Sequence, residues 1–416
     1  MFALIDCNNF FVSCERVFRP DLEHKPVIVL SSNDGCAIAR SNEAKMLGIP
    51  MGAPLFEIRH LIKAYNVEVL SCNFELYGDM SLRVMNVLQQ QCENVEVYSI
   101  DEAFLHFDKS INWAQEGERL RKHVLQCTGI PTSIGFAPTK TLAKLANLQS
   151  KALGVACYID NTPVHHDSLK ATSVSKIWGI GANLSKSLKQ QGVYSAYDLM
   201  IADPSWARRN YNVIVERIVR ELNGHSCMPL TLVQEAKKSI QITRSFFEHV
   251  KDKDVLKQAA ARYGFRLSAK LRESSQKTTT LFVYGRNSPF RGETPVFHQR
   301  TIVLPEPTND TAVIIQHAQQ AIESFFDPTV AYHKIGIMAV NLRDATQPGA
   351  HALFEAPKSA KKPDIDKVMD TLNKRFGLGT VRPLSCGESI EWMNKRDNKT
   401  PAYTTNWKTL VQVKAK

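Results

Sequence analysis

Two apolar segments, almost a hundred residues apart, each lead into acidic residues. Residues 1–5 are apolar and precede Asp6, and residues 95–100, rich in Val, Ile and Tyr, precede Asp101 and Glu102. Such runs predict buried strands, in which a carboxylate must be paired or must hold a cation. Three carboxylates at one sheet edge would repel one another unless a divalent ion lay among them, an arrangement that suits phosphoryl transfer. The alternative is two unrelated strand ends or turns that happen to be acidic.

The rest of the chain predicts a mixture of strands and helices. In the N-terminal part we expect a strand at 27–30, another from 131, and helices at 8–17, 38–47, 75–91, 113–127 and 139–151. Residues 166–236 look helical and compact. Further on, strand-like runs at 279–284 and 335–340 alternate with helical patterns at 255–272 and 311–326. These patterns indicate an α+β multidomain protein.

Composition narrows the class of protein. A chain of 416 residues is too long for one core, and no apolar run is long enough to cross a bilayer. The N-terminus starts with a strand-like segment rather than a signal sequence, so we expect a cytoplasmic protein. The nine cysteines are scattered without C-x-x-C spacing, which argues for reduced thiols and against a disulfide scaffold or a zinc site.

Charge is distributed unevenly along the chain. Residues 1–165 hold 15 Lys and Arg against 18 Asp and Glu, whereas residues 237–300 hold 14 against 5. An acidic half joined to a strongly basic segment suggests that the basic part binds a polyanion while acidic groups elsewhere bind cations. The asymmetry favours nucleic acid over the alternative, in which basic stretches only solvate helices.

Three further features are compatible with nucleotide chemistry, and each has a structural alternative. Phe10 and Phe11 either pack into the core or place a ring under a nucleotide sugar. Lys45 and the helix with Lys140, Lys144 and Lys151 either contact phosphates or form solvated faces; the P-loop spacing is absent. The turn 177–181 (Ile-Trp-Gly-Ile-Gly) either directs backbone N–H groups at a phosphate or simply connects two helices.

Four motifs occur in a recognisable order: Asp6 with Phe11, Arg40 to Gly48, Tyr98 to Phe104 (Tyr-Ser-Ile-Asp-Glu-Ala-Phe), and Lys140 to Asn147. In these the chain resembles Y-family translesion DNA polymerases. A narrower resemblance, to the UmuC-type catalytic subunit of DNA polymerase V and its mobile-element relatives, covers essentially the whole chain. The segments that carry it are 31–36, 177–181, 243–246, 368–373 and 403–405.

The resemblance implies a right-hand polymerase. Its parts would be a palm (1–20 and 76–165), small fingers (21–75), a helical thumb with a helix-hairpin-helix-like turn (166–236), an α+β little finger (237–345), and a C-terminal tail for partner contacts (346–416). Gln347-Pro348-Gly349 and the basic stretch 358–363 predict that this tail is a tether rather than a core.

The resemblance also implies roles for individual residues. Two Mg²⁺ ions would be held by the catalytic carboxylates of Asp6, Asp101 and Glu102 with the Cys7 carbonyl. Phe11 would be the steric gate, whose ring excludes a ribose 2′-hydroxyl. The implied nucleotide-binding residues are Phe10, Phe11, Arg40, Lys45 and Lys151. The implied DNA-binding residues are Gly179, Gly181, Lys237, Lys238 and Arg244.

Partners are implied in the same way: primer-template DNA, a dNTP, a processed UmuD-type dimer, a RecA filament and the sliding clamp. The clamp contact would use Leu353 and Phe354, although the Gln of the usual motif is displaced to Gln347. A second departure lies in the fingers, where Asn42-Glu43-Ala44-Lys45 replaces the common Tyr-Glu-Ala-Arg. Monodentate Lys thus replaces bidentate Arg.

The expected activity is error-prone, template-directed addition of deoxynucleotides to a primer 3′ end during translesion synthesis. Two other functions are compatible with the same residues. A metal-dependent DNA nuclease would use the same carboxylates, and a DNA-bound interaction module would carry them without catalysis.

Overall fold

A computed structural model describes residues 1–107, 112–232, 235–288, 294–346, 364–387 and 396–407. These residues form two compact units. The first contains the described residues up to 232 together with 396–407, and the second contains those from 235 to 387. In the described part of the chain, no helix is both long and apolar enough to span a membrane.

The first unit contains two sheets. Its strands are β1 Phe2–Cys7, β2 Val27–Leu30, β3 Ala37–Arg40, β4 Glu68–Ser71, β5 Asn94–Val97, β6 Glu102–His106, β7 Thr132–Ala137 and β8 Cys157–Tyr158. The larger sheet has the order β5-β6-β1-β7-β8, and β1 is antiparallel to both of its neighbours. The smaller sheet has the order β3-β2-β4, so β4 is an edge strand.

Helices surround these sheets and fill the region from 166 to 222. They are α1 Phe10–Phe18, α2 Asn42–Met46, α3 Leu55–Tyr65, α4 Phe74–Gln91, α5 Trp113–Thr128, α6 Lys140–Leu153, α7 His166–Ala171, α8 Ala182–Gln190, α9 Ala196–Met200, α10 Pro204–Asn210 and α11 Val213–Leu222. The helices predicted near 75–91, 113–127 and 139–151 are confirmed to within two residues. Gly154 ends α6 in the left-handed conformation, with φ of 75°.

Strand β1 is covered on both faces, as its continuous apolar sequence predicts. Ala3 and Ile5 belong to a core shared with α1, α4 and α5. Phe2 and Leu4 belong to a second core shared with α6 and the helices that follow it. Because side chains alternate along a strand, Asp6 lies on the second face, toward α6.

The helix predicted over residues 38–47 is wrong in its first half. Ala37–Arg40 form β3, which pairs antiparallel with β2. The helix begins only at Asn42, where the Ser41 hydroxyl accepts a hydrogen bond from the Ala44 N–H. A neighbouring strand with free backbone groups decides this assignment, and the local sequence does not reveal that neighbour. Gly48 has φ of 79°, which agrees with the predicted helix stop.

The second unit is a four-stranded antiparallel sheet covered by helices. Its elements are β9 Ile240–Val250, α12 Lys253–Glu273, β10 Gln276–Arg286, β11 Phe297–Thr308, α13 Thr311–Phe325, β12 Tyr332–Asp344 and α14 Ile365–Phe376. The strand order is β11-β10-β12-β9. Apolar side chains of all four strands pack with those of α12 and α13 in one core. This confirms the alternating strands and helices expected here.

The described residues of the predicted tail are packed. In the second unit, Arg272 of α12 forms a bidentate ion pair with Asp370 of α14, with N–O distances of 2.6 and 2.8 Å. In the first unit, Tyr403 stacks on Phe18 at 4.8 Å. The expectation of a tether is therefore corrected for these residues, because buried polar and aromatic contacts hold them in place. The segments 347–349 and 358–363 lie outside the described residues.

Candidate active site

The three predicted acidic residues lie at adjoining backbone positions at one end of the larger sheet. Asp6 is directly opposite Glu102 in the antiparallel ladder between β1 and β6. The Cys7 N–H donates a 2.9 Å hydrogen bond to the Asp101 carbonyl, which holds the β5–β6 turn against the end of β1. The apolar residues next to the acidic ones bury both strands. Because β1 and β6 are paired, their acidic residues lie at the same end of the sheet. This is the convergence that the sequence predicts.

Burial and a neighbouring positive charge have opposite effects on the pKa of the Asp6 carboxyl. It is only 6% exposed. Burial raises the pKa of its carboxyl to about 7, and the nearby Glu102 adds to this rise, while the ammonium of Lys151 opposes it. The Lys151 Nζ lies 2.6 Å from Asp6 Oδ2. A second cation beside Asp6, in addition to the Lys151 ammonium, would stabilise the ionised carboxylate that burial disfavours.

Glu102 forms an ion pair with a second lysine, Lys144. Lys144 Nζ lies 2.9 and 3.1 Å from the two Glu102 oxygens. The same ammonium sits over the Tyr98 ring, 4.7 Å from its centroid. Asp101 accepts a 2.6 Å hydrogen bond from the Ser99 hydroxyl. Each carboxylate therefore has a partner in the structure.

Helix α6 explains why the lysines reach the carboxylates. Lys140, Lys144 and Lys151 pair with Glu96 on β5, Glu102 on β6 and Asp6 on β1, respectively. The sequence spacing suggested that these lysines do not share one tight stripe. They need not lie on one stripe, because each lysine pairs with a carboxylate on a different strand. Lys140 is buried, so it contributes to packing rather than to an open site.

The donor set fits a hard divalent cation such as Mg²⁺, which prefers carboxylate and carbonyl oxygens. Among the described residues, no three Asp, Glu, His or Cys side chains are already gathered into a metal-binding group. Asp6 and Glu102 are instead paired with Lys151 and Lys144, which the sequence analysis did not foresee.

The two adjacent phenylalanines separate into different environments. Phe10 is 4% exposed and packs in the core with β1 and α4. It presents no face to a nucleotide, which corrects the nucleotide-binding role predicted for it. Phe11 is half-buried, and its ring stacks on Tyr77 with centroids 4.5 Å apart and planes 15° apart. Only the second ring is thus available beside the carboxylates.

Basic side chains cluster beside the acidic edge. Burial lowers the pKa of the Lys45 ammonium, and the positive charges of Arg40 and Lys151 lower it further, whereas Asp6 opposes them. The charges of Arg40, Lys151 and Asp6 thus all act on the Lys45 ammonium. Lys45 Nζ also donates to the side chains of Asn9 and Asn42. Arg40 donates to the Ile49 carbonyl.

The other predicted residues lie elsewhere. Gly179 has φ of 88°, and Gly181 precedes α8. Trp178, just before Gly179, donates a 3.1 Å hydrogen bond to the Tyr98 hydroxyl, which ties this turn to the carboxylate hairpin. Lys237, Lys238 and Arg244 belong to the second unit. Leu353 and Phe354 lie outside the described residues.

Sequence reasoning missed two groups at the site. It singled out Lys144 only as one lysine of a basic helix and did not predict its pairing with Glu102. It did not consider Tyr77 at all, because a tyrosine within an amphipathic helix ordinarily indicates core packing. Ring alignment with Phe11 depends on the contact between α1 and α4, and no local sequence pattern reports that contact.

The fold and the family can now be compared with known proteins. The chain has the fold of Y-family DNA polymerases: it matches a Y-family DNA polymerase chimera with a TM-score of 0.68 at 19% identity, covering 82% of this chain and 99% of that chain. Residues 5–148 match the impB/mucB/samB family, residues 237–352 match that family's C-terminal domain, and residues 363–413 match DUF4113, a domain of unknown function.

The chain belongs to the impB/mucB/samB family. It is 39% identical to Protein ImpB of Salmonella typhimurium over 422 residues, which covers 99% of each chain. It is 38% identical to Protein UmuC of Salmonella typhimurium strain LT2, and this alignment covers 100% of each chain. The resemblance drawn from the motifs and the α+β multidomain fold are confirmed.

Proposed function

We propose that this protein is a DNA-directed DNA polymerase of the translesion class, which adds deoxynucleotides to a primer 3′ end opposite a template. The single observation that carries this proposal is the juxtaposition of Asp6 and Glu102 across β1 and β6, beside Arg40, Lys45 and Lys151. An acidic edge next to a basic cluster suits a metal–triphosphate complex. Family membership and fold support the same activity.

The carboxylates of Asp6, Asp101 and Glu102, with the Cys7 carbonyl, would hold two Mg²⁺ ions. When bound, these ions lower the pKa of the primer 3′-hydroxyl and stabilise charge on the α-phosphate. In the structure Lys144 pairs with Glu102 and Lys151 pairs with Asp6. The Lys151 side chain is the more exposed of the two, at 42% against 15% for Lys144. Lys151 is therefore the lysine that we propose exchanges Asp6 for a phosphate oxygen.

Phe11 is proposed as the steric gate. Its ring is supported from behind by Tyr77 and meets Phe74 edge-on, with centroids 5.9 Å apart. A ring supported in this way resists displacement, so a ribose 2′-hydroxyl pressed against it would clash. Arg40 and Lys45 would bind the triphosphate. Lys is a monodentate donor, and we expect this grip to be weaker than one made with Arg.

The DNA contacts are proposed from charge and backbone geometry. The turn with Gly179 and Gly181 leads into α8 and would contact the primer-template backbone through its N–H groups. Lys237, Lys238 and Arg244 would contact phosphates in a segment with nine more basic than acidic residues, 14 against 5 at 237–300. A processed UmuD-type dimer, a RecA filament and the sliding clamp remain predicted partners.

Primer extension with purified protein tests the activity. We expect Mg²⁺- and dNTP-dependent lengthening of the primer, and loss of extension by roughly 100-fold or more in Asp101→Ala, because metal binding supplies several kcal/mol. Asp167→Ala is the matched control, since that side chain is 98% exposed. Primer shortening with Mg²⁺ alone would indicate a nuclease. Unchanged behaviour of Asp101→Ala in every assay would indicate a non-catalytic module.

A further inference from the structure

The C-terminal segment 396–403 docks on the first unit, and we name it the clasp. Its backbone extends the smaller sheet at edge strand β4: the Ser71 N–H donates to the Asn398 carbonyl at 3.0 Å, and the Asn398 N–H donates to the Ser71 hydroxyl at 3.0 Å. Edge strands present unpaired backbone groups that readily accept another strand. The clasp therefore covers an edge that β4 would otherwise leave open.

Buried contacts fix the clasp beyond this pairing. The Asn73 side-chain amide donates to the Thr400 hydroxyl at 2.9 Å and to the Pro401 carbonyl at 3.1 Å. Asn73 is fully buried and Thr400 is 8% exposed. At the far end, the Tyr403 ring stacks on Phe18 with planes 8° apart. A segment held by buried hydrogen bonds at its centre is part of the folded structure rather than a loosely attached end.

The centre of the clasp contacts the buried carboxyl of Glu15, which also contacts Tyr77. The Thr400 hydroxyl donates to Glu15 Oε1 at 3.2 Å, and the Tyr77 hydroxyl donates to the same oxygen at 2.7 Å. Glu15 and Tyr77 are both fully buried. The Tyr77 ring then stacks on Phe11 at 4.5 Å. A continuous set of contacts thus joins the C-terminal segment to the ring proposed as the steric gate.

Within the described residues the Glu15 carboxyl forms no ion pair, although the charge of Arg19 acts on it. Its Oε2 is buried without a hydrogen-bond partner among the described residues. Burying a carboxyl costs free energy unless it is fully paired, so this group is expensive for stability alone. The Thr400 hydroxyl, however, holds the Glu15 carboxyl, and the carboxyl oxygen in turn fixes the position of the Tyr77 hydroxyl. The position of that hydroxyl determines the plane of the Tyr77 ring. The geometry therefore favours a positioning role.

We propose that Glu15 and Thr400 are positioning residues that hold Tyr77 under Phe11, so that the clasp sets the selectivity of the polymerase for deoxyribose over ribose. The inference rests on the proposed function, in particular on Phe11 as the gate. With the Thr400 hydroxyl absent, Tyr77 gains freedom, Phe11 loses its rigid support, and a 2′-hydroxyl is excluded less well.

The primary test measures kcat/KM for insertion of one dNTP and of the matching rNTP. Thr400→Val removes the hydroxyl at nearly constant volume. We expect the dNTP-to-rNTP ratio to fall about 3- to 10-fold, mainly through faster rNTP insertion, because small displacements of a positioning group have effects of this order. Thr400→Ser retains the hydroxyl and should restore the ratio.

Thr404→Val is the matched control. The Thr404 hydroxyl oxygen is buried, yet within the described residues it has no hydrogen-bond partner. It lies just beyond the clasp, so the same change of side chain should leave the ratio unaltered. Equal effects of Thr400→Val and Thr404→Val would overturn the inference, because both would then reflect general loosening of the C-terminal segment.

A second pair of variants keeps the inference testable if Thr400→Val folds poorly. Tyr77→Phe retains the ring and removes its hydroxyl, and it should lower the same ratio. Combined with Thr400→Val it should add little, because both substitutions disrupt one set of contacts. Full additivity, or an unchanged ratio in Tyr77→Phe, would contradict the proposed linkage.

Phe11→Ala separates failure of the inference from failure of the proposed function. If Phe11→Ala does not raise rNTP insertion, the gate assignment is wrong. If it does, while Thr400→Val and Tyr77→Phe leave the ratio unchanged, the gate stands and the role of the clasp is overturned. If the wild-type protein does not extend a primer, the proposed function itself fails.

Discussion

At Glu15, burial without an ion pair among the described residues has a measurable consequence. Burial raises the pKa of this carboxyl, while the hydrogen bonds from Tyr77 and Thr400 and the charge of Arg19 oppose the rise without cancelling it. Asp6 shows the same dominance of burial, although Lys151 lies directly beside it. Single buried carboxyls in this unit are therefore retained for position or chemistry rather than for stability.

The raised pKa of Glu15 predicts a pH-dependent stability. The folded state holds the Glu15 proton more tightly than the unfolded state, so its contribution to stability is fully present below the unfolded pKa of about 4.3. It is lost as pH rises through the higher folded pKa. Relative to Glu15→Gln, the wild type should therefore lose unfolding free energy as pH rises from about 4.3. Urea denaturation at several pH values measures this difference, and parallel curves would contradict it.

At the scale of elements, helix α6 supplies the lysines that pair with Asp6 and Glu102. A glycine on β7 allows this helix to pack closely against the sheet. Gly135 on β7 packs against the backbone of α6: a Cβ added there would lie 2.6 Å from the Ala143 carbonyl oxygen and closer still to the backbone of Ala146 and Asn147. One backbone atom of a helix cannot shift without moving the residues around it. Any side chain at position 135 must therefore displace the helix that carries Lys144 and Lys151.

We expect Gly135→Ala to destabilise the first unit by about 1–3 kcal/mol, the usual cost of overpacking, or more. Catalytic efficiency should also fall, because the displaced helix withdraws its lysines from Glu102 and Asp6. Denaturant unfolding and primer extension measure the two effects. The control is Gly78→Ala on α4, where an added Cβ meets nothing within 4 Å. That change should be neutral or stabilising by about 0.5–1 kcal/mol.

At the scale of the whole molecule, the C-terminal residues are divided between the two units. Helix α14 is anchored in the second unit through Arg272, whereas the clasp is anchored in the first unit through Asn73 and Thr400. Net charge is divided as well, because the basic excess lies in residues 237–300 of the second unit. Under the proposed function, metal binding and polyanion binding would belong to different parts of the chain.

This division predicts the salt dependence of DNA binding. Lys238→Ala should weaken binding to primer-template DNA of any sequence and lower the slope of log affinity against log salt concentration by roughly 1, because one phosphate contact is lost. Titrations by fluorescence anisotropy at several salt concentrations measure the slope. Lys122→Ala, an exposed change on α5 of the first unit, should leave it unchanged. Equal slopes for wild type and Lys238→Ala would remove this residue from the DNA contact.

The sequence by itself determined the elements whose pattern is local and the identity of the reactive groups. The apolar run at 1–5 predicted the buried strand β1, and the run at 95–100 predicted β5, which ends at Val97. Glycines marked the ends of helices, and the acidic residues after the two runs were predicted to lie close together. The motif around Asp101 and Glu102 indicated the family. Each of these conclusions depends on residues close together in the chain or on chemistry that a side chain carries with it.

The tertiary structure decided what depends on neighbours that are remote in sequence. It made residues 37–40 a strand because β2 lay beside them, buried Phe10 while leaving Phe11 half-buried, and placed lysines of α6 beside Asp6 and Glu102. It also returned Thr400 to Glu15, 385 residues earlier in the chain. Burial and pairing across such separations are set by packing of the whole chain, so no local window of the sequence contains them.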